Sequence, residues 1–181
     1  MNSPPPDSWR PAARALHWAV VVLCLAAAGL ALYLVNPPDW SPVYVARYEA
    51  GIGYHEVLGL VTFAVAVAWA IWRGRRPPLT GPAAMRFAAR AVHLGLWGLL
   101  FVLPLSGYFG TVFYGGRAGI AGVLDLTLPL PRDERLGAVL GTVHLWGAYL
   151  LLGLLAAHFA GVLYHAFIRK DGVVRRMLRP Y

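Results

Sequence analysis

A chain of 181 residues with 59% hydrophobic and 13% charged residues carries far less charge than a soluble domain, which holds about 25%. Its mean hydropathy of +0.57 agrees with a membrane protein, and that excludes the nucleic-acid reading a net charge of +8 would otherwise invite. Cys24 is the sole cysteine, which excludes a disulfide framework or a cysteine metal site and leaves a buried structural thiol.

Four stretches reach the roughly 20 apolar residues that a membrane span needs. The first covers about residues 16–35, with Ser8 as a candidate cap before it and Asn36-Pro37-Pro38 ending it. Its Leu25-Ala26-Ala27-Ala28-Gly29 run looks cleavable. The apolar stretch is nonetheless longer than the roughly 7–15-residue core of a signal peptide, so a retained span is expected. The second covers about 52–72, announced by Ser41-Pro42 and ended by Arg73-Gly74-Arg75-Arg76-Pro77-Pro78. The third covers about 91–112, with Pro104 as its expected kink. The fourth covers about 140–168, with Pro131-Arg132-Asp133-Glu134 as its start signal. The expected fold is an all-α integral membrane protein, one four-helix transmembrane bundle over residues 1–181.

Basic residues sort by side. Twelve of the sixteen lie in the N-terminal segment, the second-to-third connection and the C-terminus, and only Arg47, Arg117, Arg132 and Arg135 lie in the other two loops. The positive-inside rule places both termini in the cytoplasm. Trp40, Tyr44, Tyr48, Tyr54, Tyr108 and Tyr114 then gather toward the outer boundary as an aromatic belt.

Polar ligating residues inside apolar spans are costly, so they are functional candidates by default. His144 and His158 are fourteen residues apart on one span. They return to nearly the same face, roughly 21 Å apart along the axis at 1.5 Å per residue. With the helices oriented, His55 lies at the depth of His144 near the outer face. His17 lies at the depth of His158 near the inner face. Zinc would want three or four ligands at one depth. Two facing imidazoles at each of two depths suit a pair of stacked haems in the bundle core. Gly59, Gly147 and Gly161, each about one turn from a ligand, would let a flat ring approach or simply let helices pack closely. His93 is expected at the inner interface, with a haem propionate as its other candidate contact. His165 shares the face of His158 one heptad further in and is a candidate quinone anchor, or the ligand in place of His158 if the register is two turns off. Arg73, Arg86 and Arg90 could flank propionates or a quinone headgroup there. Arg47 and Arg117 are the outer basic residues to weigh as attractors for an anion.

Taken together, these landmarks resemble the bacterial cytochrome b561 family. They are His17-Trp18, His55 with Gly59 and Arg73, Leu103-Pro104-Leu105-Ser106-Gly107, and His144-(13 residues)-His158. His165, Lys170-Asp171-Gly172 and the basic end Arg175-Arg176-Met177 complete the set. The resemblance covers most of the chain. It implies two b haems, one bound by His17 with His158 and the other by His55 with His144, in a multi-pass protein of the bacterial inner membrane. It also implies ubiquinone as electron acceptor, and superoxide as donor in the manner of superoxide oxidases. The alternative is a cytochrome b subunit that links a redox partner protein to the quinone pool. The expected partners are otherwise membrane lipid, with no nucleic acid.

Overall fold

The structure is a computed structural model that describes residues 10–35, 41–72, 81–120 and 123–178. Four helices long and apolar enough to cross a membrane make up most of it. They are α1 (Pro11–Leu34), α2 (Pro42–Trp72), α3 (Ala83–Phe113) and α4 (Glu134–Leu163). A π-helical turn, Tyr164–Arg169, prolongs α4, and α5 (Val173–Leu178) follows it. Between α3 and α4 lies a small antiparallel hairpin, β1 (Gly119–Ile120) with β2 (Leu124–Asp125).

Local chemistry sets most of these ends. Pro11 sits in the first turn of α1, where its missing N–H costs nothing. The Ser41 hydroxyl accepts from the Tyr44 N–H at the start of α2, and Asp133 caps α4 by accepting from the Leu136 N–H. Both were expected start signals; Ser8 lies outside the described residues. Inside an apolar span each helix must satisfy its own backbone. α3 nonetheless runs through Pro104 as one helix, although proline donates no N–H there.

All four helices start before the apolar segments read from the sequence; α2 begins at Pro42 rather than near residue 52, and α3 at Ala83 rather than near residue 91. The α3 pairing with α4 and the α1 pairing with α2 are the closest-packed, and α2 joins the two hairpins through α3. Among the long helices α4 packs closely on α3 alone, and its only buried residue among those described is Gly137. The bundle is therefore open along the faces where α4 looks toward α1 and α2. Val20, Ala66 and Leu100 form one core cluster, with Cys24, Trp69 and Phe101 packed on it.

At the other end of the bundle, Tyr108, Val112 and Ala118 bury the root of the hairpin. Two aromatics of the expected boundary belt belong to this architecture rather than to the lipid face. The buried Tyr44 donates its hydroxyl to the Leu34 carbonyl at the end of α1. Tyr108 donates to the Leu126 carbonyl and accepts from the Leu128 N–H. Glu56, immediately after His55, accepts from the Thr111 hydroxyl at 2.8 Å and the Gly119 N–H at 2.9 Å. It thereby pins the hairpin over the bundle end.

The hairpin carries its own acid sensitivity. The Asp125 carboxyl is pushed down to about 2 by hydrogen bonds from the Thr127 hydroxyl and N–H and by the Arg117 guanidinium that pairs with it. A depressed carboxyl stabilises the fold above its ordinary value near 3.9, and that contribution is lost as pH falls from there through about 2. Amide protection at Leu126, whose N–H bonds the Ala118 carbonyl, should be level from pH 8 to 5 and fall below pH 4. A loss beginning near pH 6 would point to another group.

Candidate haem sites between the helices

The four span histidines come together as two pairs. His55 of α2 faces His144 of α4, with ring centres 5.9 Å apart. His17 of α1 faces His158 of α4 at 6.5 Å. Both pairs bridge α4 to the helices it does not closely pack against. A metal–imidazole bond is about 2 Å and the ring centre lies about 1.2 Å behind the nitrogen, so two axial imidazoles sit roughly 6–6.5 Å apart. The His17–His158 separation meets that span, and the His55–His144 separation falls just short of it.

Each ring of the first pair is held from behind. His55 donates Nδ1–H to the Ala27 carbonyl at 3.0 Å, and His144 donates Nδ1–H to the Leu103 carbonyl at 2.9 Å. A carbonyl only accepts, so the proton is on Nδ1 and Nε2 keeps its lone pair for a metal. Metal-ligating histidines are commonly oriented this way. The local sequence permits both contacts. The small side chains Ala26-Ala27-Ala28 let His55 reach the backbone of α1. Gly107, whose Cβ would stand 2.9 Å from the His144 ring, leaves room for that ring against α3.

The second pair shows a different sign of an absent group. His17 Nδ1 and Trp69 Nε1 are buried polar atoms without a hydrogen-bond partner, and their rings lie 5.5 Å apart. Buried polar groups are almost always paired, so two orphans at one ligand pair fit a site shaped around an occupant. The glycines divide. A Cβ at Gly59 or Gly161 would meet nothing within 4 Å, whereas one at Gly147 would meet Leu103 at 2.9 Å. Gly147 serves helix packing; Gly59 and Gly161 leave space beside the rings. The residues present therefore fit a haem at each pair. Among the described residues no cluster of three or more His, Cys, Asp or Glu could hold a metal ion.

His93, expected at the inner interface or at a haem propionate, is found beside the His17–His158 pair. Because α3 starts at Ala83, His93 lies well inside the helix and half-buried, with its ring centre 5.3 Å from that of His158. That is shorter than an iron-bridged pair allows, so His93 packs on the ligand ring. Arg73 lies outside the described residues. Arg86 donates to the Gly81 carbonyl at 2.6 Å.

His165 does not join the pairs. It sits in the π turn, and its Nδ1 lies 2.7 Å from Asp171 Oδ2. Asp171 also takes Arg169 Nε at 3.3 Å and the Val173 N–H. Burial works to raise the Asp171 carboxyl, but the His165 hydrogen bond, the Val173 N–H and the charges of His165 and Arg169 outweigh it and hold it below its ordinary value. A cavity of about 540 Å³ is lined by His165, Lys170, Gly172, Val174, Arg175 and Leu178. At the hairpin end, a cavity of about 570 Å³ is lined by Glu49, Glu56, Arg117 and Asp125, among others.

Residues 8–180 match the family described as prokaryotic cytochrome b561. The chain is 29% identical over 178 residues to Cytochrome b561 homolog 2 of Escherichia coli (strain K12), an alignment covering 96% of this chain and 92% of that protein.

Proposed function

The chain belongs to the prokaryotic cytochrome b561 family, and on that premise we propose that this transmembrane haem b electron-transfer protein is a di-haem superoxide:ubiquinone oxidoreductase. The observation that carries the reading is the pair of imidazole pairs. They lie fourteen residues apart on α4, at a spacing that suits one-electron transfer across the bilayer. When bound, haem b would supply a one-electron iron couple, and His17 with His158 and His55 with His144 are the residues that would hold it.

The residues do the rest. Ala27 and Leu103 hold His55 and His144 in the metal-binding tautomer. Held by both His55 and His144, the iron would offer the donor no open position, so the electron would pass without the donor binding it. The balance is two superoxide and one quinone, with two protons, giving two dioxygen and one quinol. Protons are needed only where quinone is reduced. The bias of basic residues, twelve against four, supports an orientation with the hairpin end outside and both termini in the cytoplasm, within a bacterial inner membrane. Superoxide then arrives at the hairpin end, and quinone is reduced near His165, with Arg73 a further candidate contact.

One observation favours a second reading. The cavity at the hairpin end is lined by Glu49, Glu56 and Asp125, and its arginine, Arg117, is already paired with Asp125. That lining does not draw an anion; it suits a basic patch on a redox partner protein, for which this chain would be the membrane subunit.

The two readings part on one measurement. Purified protein should show b-type absorption bands that an enzymatic superoxide generator reduces, with dismutase abolishing the effect, and a ubiquinone analogue should then reoxidise them. Bands that stay oxidised under superoxide, yet respond to a chemical reductant and to quinone, would transfer the assignment to the partner-fed subunit.

A further inference from the structure

The inner end of α4 departs from regular helix in three consecutive ways. Tyr164–Arg169 form a π turn. Lys170 takes a left-handed conformation at φ 49°, the sole non-glycine residue with positive φ among those described, and Gly172 follows at φ 74°. In an ordinary α-helix, residues six apart lie about 120° apart around the axis and about 9 Å along it, so residue 171 would point away from residue 165. The widened turn and the reversal at Lys170 instead fold Asp171 back onto His165, with Nδ1 and Oδ2 2.7 Å apart. π turns and left-handed non-glycine residues cost stability and recur at functional sites. Here the distortion brings together one specific contact, and it does so at the rim of a cavity.

The pairing has chemical consequences. A carboxylate accepts only, so Asp171 holds the Nδ1 proton and leaves Nε2 as the nitrogen available to the cavity that His165 lines. Arg169 and the Val173 N–H secure the carboxylate in turn. Val174 and Leu178 give the cavity apolar walls, and Lys170 and Arg175 give it positive charge. Such a lining, along an open groove, suits an apolar ring whose oxygens become negative on reduction.

We propose that His165 is the proton donor to quinone at this cavity and that Asp171 is the positioning residue that holds it in the donating state. This rests on the reading that quinone is reduced at the inner end. Quinone gains two electrons from the haem chain and two protons. For one of these protons, the Nε2–H bond breaks, its electron pair stays on the imidazole, and an O–H bond forms on the reduced ring. The neutral imidazole keeps Nδ1–H on Asp171 and regains its Nε2 proton from cytoplasmic water.

The test uses the full-length haem-loaded protein, chemically reduced, then mixed with a short-chain ubiquinone analogue while haem reoxidation is followed. Asp171→Asn should slow the maximal reoxidation rate roughly ten- to hundredfold, the usual worth of a partner that orients a histidine. The half-saturating quinone concentration should stay within about twofold, and the solvent deuterium isotope effect should rise. Asp171→Glu should restore most of the rate. Nitrogen-15 spectra of histidine-labelled protein should show one imidazole losing its fixed Nδ1–H form in Asp171→Asn and no other. A full rate in Asp171→Asn beside a slow His165→Gln would overturn the dyad while keeping the quinone site. A full rate in His165→Gln would remove the quinone from this cavity altogether, and the dyad with it. Weaker quinone saturation with an unchanged maximal rate would make Asp171 a binding group and sink its role in proton transfer.

Discussion

Replacing His144 with alanine is expected, on the proposed di-haem reading, to leave about one haem per chain instead of about two, and to abolish reduction of the protein from its hairpin end. Only two imidazoles meet at the hairpin end, 5.9 Å apart, and no cluster of three or more His, Cys, Asp or Glu among the described residues could hold a metal in their place. The loss should exceed the roughly 10–100-fold in metal affinity that removing a mere orienting partner costs, because here the ligand itself goes. The remaining pair lies roughly 21 Å deeper along α4, at 1.5 Å per residue, behind apolar helix that an outer donor cannot enter. Pyridine haemochrome per chain and a redox titration measure the outcome, with one of two midpoints disappearing. Unchanged helicity by circular dichroism separates loss of haem from loss of fold. If the titration instead kept both midpoints, or if His93→Ala removed a haem as completely, the pairing of ligands would be wrong. His93 stands 5.3 Å from His158, too near for iron between them.

The histidine pairs were legible in the sequence because they obey two rules that need no tertiary knowledge. Apolar length places the spans, and charge bias orients them, so depth along each helix decides which imidazoles can meet. What supports the pairs was not legible, for identifiable reasons. The acceptors behind His55 and His144 are main-chain carbonyls of Ala27 and Leu103, and every residue has a carbonyl; only helix packing selects these two. Ala27 even lay in a run that looked like a cleavage site. The hairpin was invisible because strands of two residues, Gly119–Ile120 and Leu124–Asp125, carry no periodicity to detect. Its anchor, Glu56, reads from sequence as a stray carboxylate beside a ligand, yet it bonds residues 55 and 63 positions away. The placement of His93 turned on a helix start that polar and basic residues concealed. Arg86 and Arg90 argue against a span, but they do not argue against a helix that extends beyond one. The π turn brings together His165 and Asp171, whose spacing matches no regular helical repeat.

Gly161→Leu is expected to remove the inner haem, while Gly153→Leu leaves both in place. At either position a Cβ would meet nothing within 4 Å, so space inside the protein does not distinguish them; direction does. Gly161 lies three residues beyond His158, about 60° from its face and about 4.5 Å along the axis, whereas Gly153 is rotated by about 140°. Gly153 is also exposed, and Gly161 is partly covered. A leucine at Gly153 would project into lipid, where it is as welcome as any other apolar residue. A leucine at Gly161 would project over the edge of the ligand pair, where a flat macrocycle has to lie. The expected count is about one haem per chain, the outer midpoint retained, and helicity unchanged, since leucine is a better helix former than glycine by roughly 1 kcal/mol. The matching change at Gly59 should remove the outer haem instead. Gly147→Ala should affect packing against Leu103 and not haem number, because its neighbour at 2.9 Å is a side chain of α3. A Gly161→Leu protein that binds both haems at full occupancy would show that the space beside His158 belongs to lipid, and the inner macrocycle would then have to lie on the opposite side of the imidazole pair.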